Sequence, residues 1–349
     1  MPLHDLGYRH WEEEPVRQSY SWLAISRYGI RLAWKSSWIR RVVFLSFFPA
    51  IALAVFIFLF EQINEWPEVA GFVLAGVPAH ELIEAGVDAG VISREDLANE
   101  RSIRSGTRSS KAFSRRITAA YVDSHRTSYW SQLVLAFFQR GLWLVVLLFG
   151  MITPRLISHD VQSRAFLLYF SRPITPFQYV LGKATTTWAF LAAVTTLPAL
   201  LCYFSGILVS PSLDVVFSTW MIPFRILLAT VVIGLPTTML ALWLSSLARE
   251  SRYAAFGWFA IWMVGLIAAV MLAAAEYDGY GPAAGNPFSI VAQSRWAHVS
   301  FTHVLSNSLG WVFGMASLDD VKWFLLELVL ITGVTFKLLM KRVVAPIQI

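Results

Sequence analysis

Between Lys183 and Arg249 the chain carries only two charged side chains, Asp214 and Arg225. A stretch this long with so little charge has no means of covering itself in water. It needs lipid as its surroundings, and in lipid the backbone must satisfy its own hydrogen bonds, which points to helices. A helix rises about 1.5 Å per residue and needs about 20 apolar residues to cross a hydrocarbon core of about 30 Å. The stretch holds two such crossings with a turn at Ser210-Pro211-Ser212. The pattern recurs elsewhere: residues 42–60 and 254–275 are free of charge. With 56% hydrophobic and 14% charged residues, the chain reads as an all-α, polytopic membrane protein. Six spans are expected, at 42–60, 133–152, 181–206, 221–245, 254–275 and 321–340.

The flanks orient these spans. Arg40 and Arg41 precede the first, Lys341 and Arg342 follow the last, and the short loop 245–252 is basic. Cations flanking spans mark the cytoplasmic side, so both termini are expected there. The net charge of +6 is accounted for by these flanks and gives no reason to invoke nucleic acid. Fifteen tryptophans suit interfacial anchoring. The single cysteine, Cys202, permits no internal disulfide. Within residues 1–41 an amphipathic helix is expected over 19–41. Arg27, Arg31 and Lys35 form one basic stripe, while Trp22, Ile25, Gly29 and Leu32 share another face. Such a helix lies in the membrane interface, with lipid as its partner. The apolar stretches of residues 61–132 are too brief to span and residues 276–320 are too polar to span twice; both are expected to be external, the first as a small helical or partly disordered insertion. Ser317 and Asp320 have the spacing of a capping box opening the sixth span.

Three charges fall inside the expected spans. The uncharged run 141–154 covers only about 21 Å as helix, so Arg140 is drawn into the second span. Arg140, Arg225 and Glu327 are each expected in the outer half of their span, the second, fourth and sixth. Charges at such depth pair, line a polar cavity or snorkel to the interface. Two alternatives stay open: Glu327 pairs with Arg140 or Arg225, or each reaches the interface alone.

The loop 153–180 has its own local grammar. Ser158 has the character of an N-cap, with Asp160 in the first turn and Arg164 four residues on. Pro173 disfavours helix at Arg172, which ends a short helix over 158–172. Thr175, Pro176 and Gln178 then spell a capping box with proline at its first position. No catalytic constellation stands out. The Gly182-Lys183 pair is not a phosphate loop, because Phe177 and Ala184 replace the glycine and hydroxyl residue that motif requires. His298 and His303 are five apart, which does not place them on one helical face as metal ligands.

Ile157, Ser158, Asp160, Leu168, Tyr169, Ser171-Arg172-Pro173-Ile174, Tyr179 and Leu181-Gly182-Lys183 together resemble the cytoplasmic loop of type-2 ABC exporter permeases. The resemblance implies a six-span membrane subunit that is not itself an enzyme. Its partners would be a separate ABC ATPase chain and a second permease chain, identical or not. It implies no cofactor on this chain, with ATP and Mg used by the ATPase. It implies that the short helix is a coupling helix, with Ser158, Asp160, Arg164, Tyr169, Arg172 and Pro173 as its coupling residues. The 276–320 region would cap the transport path, and the setting would be a bacterial inner membrane. The long 61–132 segment departs from the compact members. A rival reading is a permease-like scaffold that anchors a surface complex and moves no solute. A secondary transporter is disfavoured, since no span carries a buried acidic relay or a Gly/Pro-broken repeat pair.

Overall fold

The computed structural model describes residues 21–62, 79–88, 90, 109–163, 174–210, 214–276, 291–292 and 294–344. Among these the chain is all helical. The helices are α1 (Ser21–Trp34), α2 (Ser37–Leu45), α3 (Phe47–Glu61), α4 (Ala79–Asp88) and α5 (Ser109–Gln162). They continue as α6 (Pro176–Leu191), α7 (Leu197–Val209), α8 (Asp214–Thr219), α9 (Met221–Leu247), α10 (Ser251–Glu276), α11 (Phe301–Val312) and α12 (Leu318–Val344). Six helical stretches are long and apolar enough to cross a membrane: Ser37–Glu61, Ile117–Gln162, Pro176–Val209, Val215–Leu247, Ser251–Glu276 and Leu318–Val344.

The N-terminal helix differs from the expected single helix over 19–41. It breaks at Ser36, whose backbone is extended, and α2 turns into the bundle as the first part of span one. A second interruption separates α2 from α3. Ser46 turns its hydroxyl back onto the Val43 carbonyl at 2.7 Å, and Pro49 has no N–H to offer the Leu45 carbonyl. The second span differs more. What the sequence suggests as 133–152 is the middle of α5, which runs for 54 residues without a break. At about 1.5 Å per residue that is about 80 Å, far more than a bilayer needs. Residues 109–132, expected within the external insertion, are therefore the start of this helix. Between α6 and α7 one π-helical turn, Ala192–Thr196, precedes Pro198. The wide turn absorbs the ladder bond that the proline cannot make.

Two hydrophobic clusters stack along the helix axes. One, at the α1 end, gathers Ile25, Ile39, Val42, Ile152, Ile157, Tyr179, Leu242 and Leu339. The other, toward the far end, gathers Ile57, Phe60, Trp130, Phe138, Tyr203, Ile226, Trp262 and Phe313. Helix α11, preceded by a 3-10 turn at Arg295–Val299, buries Phe301, Val304, Leu305, Leu309 and Val312 in the second cluster. The capping boxes form as spelled. Thr175 Oγ1 accepts from the Gln178 amide at 3.2 Å and Gln178 Oε1 accepts from the Thr175 amide at 3.1 Å. Ser317 and Asp320 make the same exchange at the start of α12, at 3.3 and 3.2 Å.

Helix α1 packs against α6 through small residues. A Cβ on Gly182 would lie 2.9 Å from the Trp22 carbonyl oxygen and 2.8 Å from Ile25 Cβ. Ser26 Oγ donates to the Gly182 carbonyl at 3.0 Å, and Gly29 faces Thr186. Backbone cannot retreat as a flexible side-chain tip can. Gly182→Val is therefore expected to lower stability by about 1–3 kcal/mol by overpacking. Thermal unfolding in mild detergent checks this against Gly257→Ala, whose added methyl meets only Leu244 at 3.8 Å and should leave the melting temperature level or higher.

Candidate functional site

A frame of buried polar groups joins the end of α5 to the start of α6, on either side of residues 164–173. Asp160, on the last turn of α5, is 7% exposed. Its Oδ2 lies 2.6 Å from Lys183 Nζ on α6 and accepts from Tyr179 Oη at 2.7 Å. The lysine ammonium also stands 5.4 Å from the centre of the Tyr179 ring. A charge pair this buried holds only with close geometry and further hydrogen bonds, and the tyrosine supplies one. The effect is a strap across the mouth of the loop that fixes the end of α5 to the start of α6. Asp160 had been expected to pair along its own helix with Arg164. Its described partners instead come from across the loop, and Arg164 lies outside the described residues. Tyr169, Arg172 and Pro173 lie outside them as well.

Ser158 does not cap a new helix, which corrects the expected start of the 158–172 element; residues 164–173 lie outside the described residues. Helix α5 passes through Pro154 and Ser158 to Gln162. Ser158 Oγ donates back to the Pro154 carbonyl. Ser245 Oγ, near the end of α9, donates to the same carbonyl at 3.0 Å and accepts from the Ile157 and Ser158 amides at 3.2 Å each. The helix continues through the proline, and Ser245 adds a polar contact from α9 to the turn that follows it. The sequence reading lacked this partner, because Ser245 lies far along the chain. This clasp ties the end of α5 to the end of α9, as Lys183 ties it to α6. The Gly182-Lys183 pair that cannot form a phosphate loop thus has two structural duties: Gly182 admits α1, and Lys183 holds Asp160.

The basic stripe is exposed: Arg27, Arg31 and Lys35 all face away from the bundle, while Ile25, Ser26 and Gly29 are buried. Trp34 stacks on Phe190 with ring centres 6.1 Å apart.

The three charges expected inside spans are not brought together. Glu327 Oε2 lies 3.0 Å from His298 Nδ1, on the 3-10 turn before α11. Arg225 Nη1 donates to the Phe313 carbonyl at 2.8 Å and to Ser131 Oγ at 3.3 Å. It thereby holds the turn after α11, where Gly314 has φ +78°. Arg140 is exposed on α5 and has no hydrogen-bond or ionic partner among the described residues. The pairing of Glu327 with either arginine is absent from this arrangement.

One further cluster escaped the sequence reading. Glu61, at the end of α3, has a side chain with no exposed surface. Its carboxylate accepts from Arg126 Nε at 3.1 Å, Trp130 Nε1 at 3.2 Å and Ser210 Oγ at 3.2 Å. Arg126 also meets Asp123 at 3.0 Å. Glu61 looked like the first acidic residue of a solvated segment, and no local signal marks it as buried.

The described residues thus hold six helices apolar and long enough to span a membrane, the amphipathic α1 docked on the third of them, and a polar strap between the end of α5 and the start of α6. A family model described as "ABC-2 family transporter protein" matches residues 39–340. The chain belongs to the ABC-2 transporter family. The match takes in all six spans and begins within α2. As an ABC-2 family member the chain is a multi-pass membrane permease subunit, a transport component that is not itself catalytic. A comparison with curated proteins finds no match.

Proposed function

We propose that this ABC-2 permease subunit is driven by a separate ATPase chain that docks on the loop between α5 and α6, and that it exports its substrate. The observation that carries the reading is the strap Asp160–Lys183–Tyr179 together with the Ser245 clasp. The strap makes the end of α5 and the start of α6 move together. A force applied there passes into α5 and, through Ser245, into α9. In this reading Asp160 and Ser158 are positioning residues, and the contacts with the ATPase fall to Arg164, Tyr169 and Arg172. Two permease chains form one pathway in a bacterial inner membrane, with the termini and the α1 end cytoplasmic. The exposed stripe Arg27, Arg31 and Lys35 meets anionic lipid or the ATPase surface. ATP and Mg are used by the ATPase chain.

The test is a mild-detergent pull-down of the tagged protein from its own host, compared with a variant carrying Arg164→Glu and Arg172→Glu. An ATPase chain retained by the native protein and lost from the variant supports the reading. If no nucleotide-binding chain is recovered while other partners are, the scaffold alternative takes its place.

A further inference from the structure

The exposed Arg140 is placed deep. Helices α2 and α3 run beside α5, and two contacts fix their relative height. Glu61 meets Arg126 and Trp130, while Ser36, Trp38 and Ile39 line one cavity with Gly150, Met151, Pro154 and Arg155. Arg140 is fourteen residues from Arg126 and fifteen from Arg155, about 21–23 Å from each along the axis. It therefore sits near the middle of the span, within a hydrocarbon core of about 30 Å, and too far from either boundary for its side chain to reach headgroups. A cation there with no partner among the described residues is unstable against lipid and calls for water or an anion beside it.

The face that bears Arg140 continues through Trp143, Leu147 and Met151 to Arg155, at steps of three and four residues. Trp143 is 41% and Leu147 40% exposed. At the α1 end this face opens into the cavity just named, of about 340 Å³, which Arg155 lines with Trp38 and, from α10, Ser251, Arg252 and Ala255. The Nε of Arg252 meets Glu250 at 2.6 Å, and Arg41 stands over the Trp38 ring at 5.0 Å. Arg155 has no ionic partner among the described residues. The face is thus cationic at its mouth, apolar along its length and cationic again at mid-depth.

We infer that this face of α5 is a water-accessible groove through which the permease passes an anionic amphiphile, a molecule with an apolar chain and a phosphate, sulfate or carboxylate group. Arg155 receives the anionic group at the mouth and Arg140 meets it at mid-depth, while Trp143 and Leu147 carry the chain. The inference rests on the permease reading but not on the ATPase, so its test is made without one.

The full-length protein, with Cys202→Ala removing the native thiol, is reconstituted in liposomes. Single variants Arg140→Cys and Leu147→Cys are compared with Val264→Cys and Val329→Cys, which place exposed thiols at the middle of α10 and α12. The probes are two membrane-impermeant methanethiosulfonates, one anionic and one cationic. Labelling of positions 140 and 147 at least about tenfold faster than the controls is expected, since a thiol in lipid stays protonated and unreactive. Position 147 should favour the anionic reagent, and adding Arg140→Gln should cut that preference by roughly threefold. Labelling no faster than the controls overturns the groove. A preference unchanged by Arg140→Gln overturns the anionic substrate class while leaving the groove. A spontaneous cross-link at position 147 to a second copy, with no labelling, assigns the face to a dry interface and also overturns it. Failure of the pull-down alone would leave all of these readouts intact.

Discussion

Replacing Lys183 with methionine is expected to lower stability by about 3–5 kcal/mol, the usual consequence of leaving one charge of a buried pair without its partner. The methionine fills most of the space of the lysine stem, so lost packing contributes little. The cost arises because Asp160, 7% exposed, loses its ammonium partner and is left, among the described residues, with the Tyr179 hydroxyl. Asp160→Asn in the same chain should recover much of the loss, since a neutral amide no longer requires an ammonium 2.6 Å away. Thermal unfolding in detergent of the two single variants and the double variant forms a double-mutant cycle. A coupling energy near zero would mean that the strap does not hold α5 to α6. The same cycle separates structure from coupling. If the stable double variant still binds an ATPase chain but no longer transmits its hydrolysis, the strap serves transmission beyond stability.

Glu61→Ala should cost a similar amount, at the lower end of about 3–5 kcal/mol. It strands the Arg126 guanidinium, the Trp130 indole N–H and the Ser210 hydroxyl in one step. Arg126 keeps Asp123 at 3.0 Å, but that carboxylate is mostly solvent-exposed and compensates weakly. Ser210→Ala removes only one acceptor contact of Glu61 and should cost about 0.5–1.5 kcal/mol. The comparison matters because Glu61 fastens the end of span one to α5 and to the end of α7. Unfolding curves that rank Glu61→Ala far above Ser210→Ala bear out a charge-centred junction. Equal, small effects would show that packing of Phe60 on Tyr129, ring centres 4.1 Å apart, suffices to hold it.

The helical, six-span character of this chain is local information. Each span is specified by its own run of apolar residues, because in lipid the backbone must satisfy itself within the segment. Thr175-Pro176-Gln178 and Ser317-Asp320 were legible for the same reason: a capping box is complete within four residues. Three of the places where the sequence misled share the opposite property. Ser158 reads as an N-cap when seen alone, but it lies inside a helix that continues past Pro154 and packs against Ser245 of α9. Asp160 reads as the partner of a residue four positions on, and only the fold brings Lys183 and Tyr179 to it. Glu61 reads as the edge of a solvated acidic segment, and only the approach of α5 buries it. The sequence by itself determined that the chain is helical with six segments long and apolar enough to cross a membrane, and where two of the helices start. The tertiary structure decided which polar groups are buried and what they hold, because burial and pairing depend on side chains that other helices supply from far along the chain.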